Sequence, residues 1–230
     1  MTRHKGNTVN TRLDSYLFAK STKPNDAIKT LQEALKPFGK VFTLPRNHTM
    51  ELSKERDKAF ILMFEYGCFS LFHEGSELAI STAFSPTVMG LIDAYSLYYG
   101  LEKRPQHYVL AETYCTGWSI PLDIFLAKCD ELVLWHDVAK ILAQRLMVMS
   151  ARETELVGKD AYSKIRALLL ELSRYPDNIR EQINIAAFIS HRTKMSKSRI
   201  MSILSELRTG EYITTNKGVL TSITKLPTSF

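Results

Sequence analysis

The segment "LVLWHDVAKILAQRLMVMSARETELVG", Leu132 to Gly158, contains no proline and no glycine before its last residue, and its apolar residues recur every three or four positions. Val138, Ile141, Leu142, Leu146 and Met149 fall on this period, which predicts one amphipathic helix of roughly two dozen residues, about twice the usual length. A helix this long divides the chain. Before it, short runs rich in β-branched and aromatic residues alternate with turn residues; after it come short helices and a hairpin signal. The expected class is therefore α+β, with a β-roll on one side of the helix and a small helical domain on the other.

The runs "KVFTL", "AFILMFEYGCFSLF", "ELAISTAF" and "HYVLAETYC" read as strands broken at Pro45-Arg46-Asn47, Glu74-Gly75-Ser76, Ser85-Pro86 and Lys103-Arg104-Pro105. Gly67, inside the second run, marks a bulge or tight turn. Ahead of the strands, "NDAIKTLQEALKPFG" reads as a helix capped by Asn25 or Asp26, striped by Ile28, Leu31 and Leu35, and stopped by Pro37 and Gly39. These limits suggest four parts: an N-terminal tail and helix over 1–37, a roll over 38–130, the long helix over 131–157, and a C-terminal domain over 158–230.

Charge separates the parts. The chain carries 30 Lys+Arg and 24 Asp+Glu, and residues from Gly158 onward hold 12 of the former against 6 of the latter, which is the whole excess of +6. A cationic excess confined to one domain points to a polyanionic partner for that domain. No run approaches 18 apolar residues and the first 23 residues lack an apolar core, so neither a membrane span nor a secretory leader is expected, and the expected location is cytoplasmic. Cys68, Cys115 and Cys129 are too far apart for a CxxC site, and the six histidines show no paired ligand spacing, so no metal, cofactor or disulfide framework is expected. Glu65, Glu74 and Glu77 with His73 lie near Cys68 in sequence, but no nucleophile–base signature joins them and no catalytic residue is assigned.

The C-terminal domain carries the functional signal. "EQINIAAFIS" reads as a helix; "HRTKM" breaks it; Ser196 caps a second helix whose Ile200, Ile203, Leu204 and Leu207 form a buried face; and "GEYITTNKGVLTSI" reads as a hairpin turning at Asn216-Lys217-Gly218. Helix, turn, helix and hairpin are the order of a winged helix-turn-helix, whose second helix enters the DNA major groove. Lys197, Ser198, Arg199 and Ser202 then face outward with Met201 and Ser205, while Arg192 and Lys194 stand in the turn. The candidate DNA-binding set is Arg192, Lys194, Ser196, Lys197, Ser198, Arg199, Ser202 and Lys217. Of these, Arg192 and Lys194 in the turn are expected to flank phosphates, and Lys197 and Arg199 to reach phosphate or a guanine edge.

A β-roll, a long helix and a C-terminal winged helix-turn-helix, with "RETELVGKDAYSKIRALLLELSRYP" and "SKSRIMSILSELRTGEYITTNKGVLTSI" as the most specific segments, resemble the Crp/Fnr family of bacterial transcription regulators over residues 38–226. "HRTKMSKSRIMSILSELRTGEYI" is most similar to the enterobacterial YaiV/IprA-type branch, associated with restraining hydrogen peroxide resistance. The apolar stripe Val138, Ile141, Leu142, Leu146 and Met149 predicts that the long helix pairs with a twin in a homodimer, the alternative being that it lies on its own β-roll. The resemblance implies a cyclic-nucleotide-binding-like jelly roll, double-stranded DNA and RNA polymerase as partners, and Lys197, Ser198 and Ser202 at base edges with Arg192, Lys194 and Arg199 on phosphate. It further implies a role in the oxidative stress response.

Three departures qualify it. Ser190 to Met195 makes the turn about four residues longer than the short Gly-centred turn usual in such motifs. Pro105-Gln106 stand where cyclic-AMP-responsive members carry Arg-Ser, and Leu91 or Ile92 follows Gly90 where they carry Glu, so cyclic AMP is not expected to bind. No cysteine precedes Cys68, which removes the N-terminal iron–sulfur cluster of Fnr-type sensors. The rival reading is a winged module that binds protein, on a roll that binds an unknown small ligand. For the aromatic residues Phe60, Phe64, Phe69, Phe72, Phe84, Tyr95, Tyr98, Tyr99 and Tyr108, plain core is the better expectation than a ligand cavity.

Overall fold

A computed structural model describes residues 15–76, 78–101, 105–156 and 159–228. The chain starts with α1 (Ser15–Ser21) and α2 (Asn25–Leu35) and enters β1 (Lys40–Leu44), β2 (Thr49–Glu51), β3 (Phe60–Tyr66), β4 (Cys68–His73), β5 (Ala79–Phe84) and β6 (Thr87–Met89). A short helix, α3 (Leu91–Tyr98), leads to β7 (His107–Ala111) and β8 (Cys115–Pro121), followed by α4 (Leu122–Glu131) and the long α5 (Trp135–Leu156). The C-terminal domain comprises α6 (Ala161–Ser173), α7 (Asp177–Arg180), α8 (Ile185–Ser190), α9 (Lys197–Thr209), β9 (Ile213–Asn216) and β10 (Val219–Ile223).

The first eight strands form two four-stranded sheets, ordered β1-β8-β3-β6 and β2-β7-β4-β5, all antiparallel. Strand β3 explains how they pack. Its four buried residues Ile61 to Phe64 read as one apolar run, but successive side chains of a strand point to opposite faces. Leu62 and Phe64 enter the core between the sheets with Phe69, Val109 and Cys115, whereas Ile61 and Met63 enter a second core under α2, α4 and α5. The run is continuous because both faces are covered. Gly67 joins β3 to β4 at φ +105°, and a Cβ there would fall 2.5 Å from Cys115 Sγ, so glycine is required by conformation and by space.

Two helices, α3 and α4, lie within the segment that sequence texture marks as strands. They are short, and their apolar residues follow the neighbouring strands without a visible change of period. The cap expected at Asn25 or Asp26 is also absent: Pro24 precedes the first helical residue and no side chain caps α2. The apolar stripe is as expected, with Ile28, Leu31 and Leu35 all buried. Of the roll aromatics, Phe64, Phe69 and Phe72 are core residues, but Tyr98, the last residue of α3, and Tyr99, which follows it, are exposed.

Helix α5 requires a correction. Val138 and Ile141 are not available to a second chain. They are buried with Leu134 against Ala27, Ile28, Leu31 and Phe125, and Leu142 packs on the same cluster. Arg145 donates to the Val88 carbonyl on β6, and Gln144 donates to the Ala19 carbonyl of α1 (3.2 Å). The inner face of this helix belongs to its own roll. Its outer face begins at Ala139 and Ala143 and continues through Leu146, Met147 and Met149, which are 67%, 49% and 51% exposed.

The C-terminal domain has a core of its own, in which Ile165, Leu168, Leu169 and Leu172 of α6 meet Phe188 and Ile189 of α8, Ile200, Leu204 and Leu207 of α9, and Ile213 and Leu220 of the hairpin. Asp160 caps α6, accepting from the Ser163 amide (2.8 Å) and hydroxyl (2.7 Å). No helix among the described residues is long and apolar enough to cross a membrane.

Candidate nucleic-acid interface

Helix α9 is built for one face to be buried and the other presented. Ile200, Ile203, Leu204 and Leu207, at helical spacing, lock it onto α6 and α8. Ser196 accepts the Arg199 amide through Oγ (3.3 Å) and so starts the helix where sequence placed its cap. Lys197, Ser198, Arg199, Met201, Ser202 and Ser205 are exposed, as is Lys194 just before the cap. Ser198, Ser202 and Ser205 follow one another at steps of four and three, forming a single ridge. Acids border it: Glu206 accepts from Ser202 Oγ (3.1 Å), and Asp160 and Glu206 line a cleft with Ser198, Arg199 and Ser202 between α6 and α9. The face therefore offers two cations and small hydroxyl donors over an otherwise flat helical surface, a chemistry suited to phosphate oxygens and base edges.

The hairpin is fixed to the same scaffold. Lys217 (φ +48°) and Gly218 (φ +80°) both occupy the left-handed region, which is the geometry of a two-residue hairpin turn that matches strand twist. Gly218 is required twice, since a Cβ would lie 2.5 Å from Asn184 Nδ2. Its carbonyl accepts the Ile185 amide (2.9 Å), and Asn184 caps α8 by accepting from the Ala187 amide (3.1 Å). The hairpin turn is thus tied to the start of α8, with Lys217 exposed at its tip.

Arg192 is where expectation and structure part. Its side chain has no exposed surface, and its guanidinium points away from the α9 face into the roll. Nη1 donates to the Phe188 carbonyl (3.0 Å); Nη2 donates to Ser70 Oγ (3.0 Å) and to Thr82 Oγ1; and Glu112 Oε1 lies 3.9 Å away. The guanidinium also stacks over the Phe188 ring at 3.7 Å. A side chain held this way does not reach phosphate, so Arg192 leaves the DNA-binding set. Sequence reasoning missed its partners, because nothing local marks Ser70, Thr82 or Glu112 as neighbours of residue 192.

In the roll, the segments that sequence sets against a cyclic-nucleotide site are the turn at Gly90 and Pro105-Gln106. Gly90 turns at φ +89° into α3, and the buried Asp93 accepts the His107 amide (3.1 Å) and contacts His107 Nδ1 (3.0 Å). Pro105 is exposed, the Gln106 carbonyl accepts the Glu74 amide (2.7 Å), and Arg104 lies outside the described residues.

All three cysteines are free and fully buried. Burial pushes the Cys115 thiol up to about 11 and Cys129 to about 12, and raises Cys68 well above the ordinary thiol range, with Glu112 adding to the effect. A peroxide-sensing thiol needs exposure and a lowered pKa, and none of the three has either. The folded protein at pH 7.5 is therefore expected to resist iodoacetamide, with all three thiols labelled once denaturant is added. Raising the pH to 9 should change little, because that pH still lies below the raised pKa of each folded thiol. Fast labelling of any one thiol in the native protein refutes this.

Comparison with known proteins follows the same division. Residues 161–228 match the family model described as winged helix-turn-helix DNA binding. The chain is 29% identical over 209 residues to the inhibitor of hydrogen peroxide resistance of Escherichia coli K12, covering 90% of this chain and 98% of that one. It superposes on the c-di-GMP responsive global regulator CLP of Xanthomonas campestris with a TM-score of 0.67 at 12% identity, covering 86% of this chain and 100% of the other. A Crp/Fnr family transcriptional regulator structure from Eubacterium rectale gives 0.66 at 12% identity, over 89% and 95%.

Proposed function

For a chain that has the Crp/Fnr fold and ends in a winged helix-turn-helix of the DNA-binding type, we propose the role of a homodimeric, sequence-specific transcription regulator, not an enzyme. It acts in the cytoplasm by occupying promoter DNA, where RNA polymerase is its further partner. The observation that carries this reading is the α9 surface: Lys197, Ser198, Arg199 and Ser202 are exposed together on a helix whose opposite face is buried in its own domain. Two such helices, one per subunit, read half-sites about 34 Å apart, one turn of DNA. The similarity to the hydrogen peroxide resistance inhibitors supports genes of the oxidative stress response as targets.

The test is genome-wide mapping of bound DNA in the source cell, followed by binding of the recovered sites across a salt series. A two-fold symmetric site whose affinity falls steeply with salt is expected. Sites without shared sequence, or binding indifferent to salt, overturn the reading and favour a winged module that binds protein.

The roll works without cyclic AMP in this reading, since Asp93 and Pro105-Gln106 offer no bidentate cation to a cyclic phosphate, and a buried unpaired anion is costly. Calorimetry with cyclic AMP is expected to show no specific binding. A Kd below about 100 µM, roughly −5.5 kcal/mol, contradicts it.

A further inference from the structure

At the seam between the roll and the winged domain, the long turn of the helix-turn-helix meets a sheet. The turn after α8 does not face the surface that α9 presents. Its His191 carbonyl accepts the Ala79 amide of the edge strand β5 (2.5 Å), and its His191 ring stacks edge-on against Phe72 (5.6 Å). Arg192 follows into the slot beneath β4 and β5, between Ser70, Thr82 and Glu112, and Ser70 Oγ in turn donates to Glu112 Oε1 (2.5 Å). Around this slot an aromatic box closes the seam. Tyr16 of α1 packs on Phe84 of β5 (5.8 Å) and on Tyr175 (5.1 Å), Phe84 packs on Tyr175 (4.8 Å), and Tyr175 packs on Phe188 (5.8 Å). Lys23 donates to the Phe84 carbonyl (2.8 Å).

Burying a guanidinium is expensive unless its hydrogen bonds and charge are met. Here Nη1 and Nη2 are met from both sides of the seam, since Phe188 lies in the winged domain and Ser70, Thr82 and Glu112 lie in the roll, while Nε is buried without a hydrogen-bond partner. The roll therefore holds the turn at a defined angle, and Arg192 stands only four residues before the cap of α9. We propose that Arg192 is a positioning residue that docks the enlarged turn into the β4–β5 face and thereby sets the orientation of α9 relative to the roll. The docking leaves Lys197, Ser198, Arg199 and Ser202 exposed, so it pre-organises the reading face and does not mask it. Free rotation of a winged domain would have to be frozen at each binding event, and the latch removes that cost in advance. It also gives the roll a second route to α9, through sheet and turn in addition to α5.

The proposal rests on α9 reading DNA, and its test separates the two. Hydrogen exchange and DNA binding are measured on the full-length wild type, Arg192→Met, Glu112→Ala and the double variant, at a temperature where circular dichroism shows all four folded. The Ala79 amide is expected to be protected in the wild type and to exchange faster in each variant, a readout that involves no DNA. Affinity for the mapped site is expected to fall about tenfold in Arg192→Met with an unchanged salt slope, because no phosphate contact is lost. Glu112→Ala, in the roll and away from any duplex, is expected to weaken binding in the same sense, and the double variant to be no worse than Arg192→Met. Should Arg192→Met not fold, Glu112→Ala alone carries both measurements. A salt slope reduced by about one in Arg192→Met with Glu112→Ala silent assigns Arg192 to phosphate and overturns the proposal. Unchanged Ala79 exchange in both variants overturns it as well. A wild type that binds no DNA while Ala79 exchange responds as expected sinks the DNA reading and leaves the docking intact.

Discussion

Leu146→Asp is expected to convert a dimer into monomers without unfolding either domain. The outer face of α5 presents Ala139, Ala143, Leu146, Met147 and Met149, a stripe at three- and four-residue steps that matches what a helical pair buries. A carboxylate at its centre would be desolvated in the pair and solvated in the monomer, so the equilibrium moves to the monomer. Loss of the second subunit removes the second half-site, and operator affinity should drop by about 10²-fold or more. The buried neighbour provides the contrast. Ile141→Asp places a charge in the core beneath α2 and should unfold the roll, at a cost of several kcal/mol of the roughly 5–15 available. Light scattering at micromolar concentration and thermal melts separate the two effects. A wild-type monomer, or an unchanged mass for Leu146→Asp, refutes pairing through α5.

On α9, Lys197→Ala and Ser202→Ala are each expected to lose about 1 to 3 kcal/mol on the specific site and little on scrambled DNA, with preference relaxed at one base pair. Arg199→Ala and Lys194→Ala should weaken all duplexes alike and lower the salt slope by about one each. Neither class is expected to alter stability by more than about 0.5 kcal/mol, because these side chains are exposed and away from the core. Anisotropy on matched and scrambled duplexes over a salt series measures all four. If none changes affinity, α9 is not the reading helix and the winged domain serves another partner.

Ser196 caps α9 and Ile200, Ile203, Leu204 and Leu207 bury it, because a cap and an amphipathic stripe are properties of consecutive residues. The hairpin at Lys217-Gly218 follows from two residues that both accept positive φ. The long period from Leu132 became α5, with 22 residues. The helices α3 and α4 leave no such trace, because each is too short for a 3.6-residue period to separate from strand alternation.

Faces and partners were a different matter. The period along α5 shows that the helix has an apolar side, but not whether a second chain or its own roll covers it. Val138 and Ile141 went to the roll and Leu146 and Met149 stayed outside, since α2 and the β3 side chains Ile61 and Met63 reach only the inner half of the helix surface. Arg192 makes the same point for a single residue. In sequence it is one cation among four in a hydroxyl-rich stretch, and charge of that kind belongs to solvent or phosphate by default. Only a fold that brings Ser70, Thr82 and Glu112, from 80 to about 120 positions away, around one guanidinium can bury it. The sequence alone determined α2, α5, α9 and the hairpin, the winged order and the exposed hydroxyl ridge, each set by interactions within a few turns or one hairpin. The tertiary structure decided which cations and which apolar residues remain exposed, because burial depends on contacts between segments that no local pattern records.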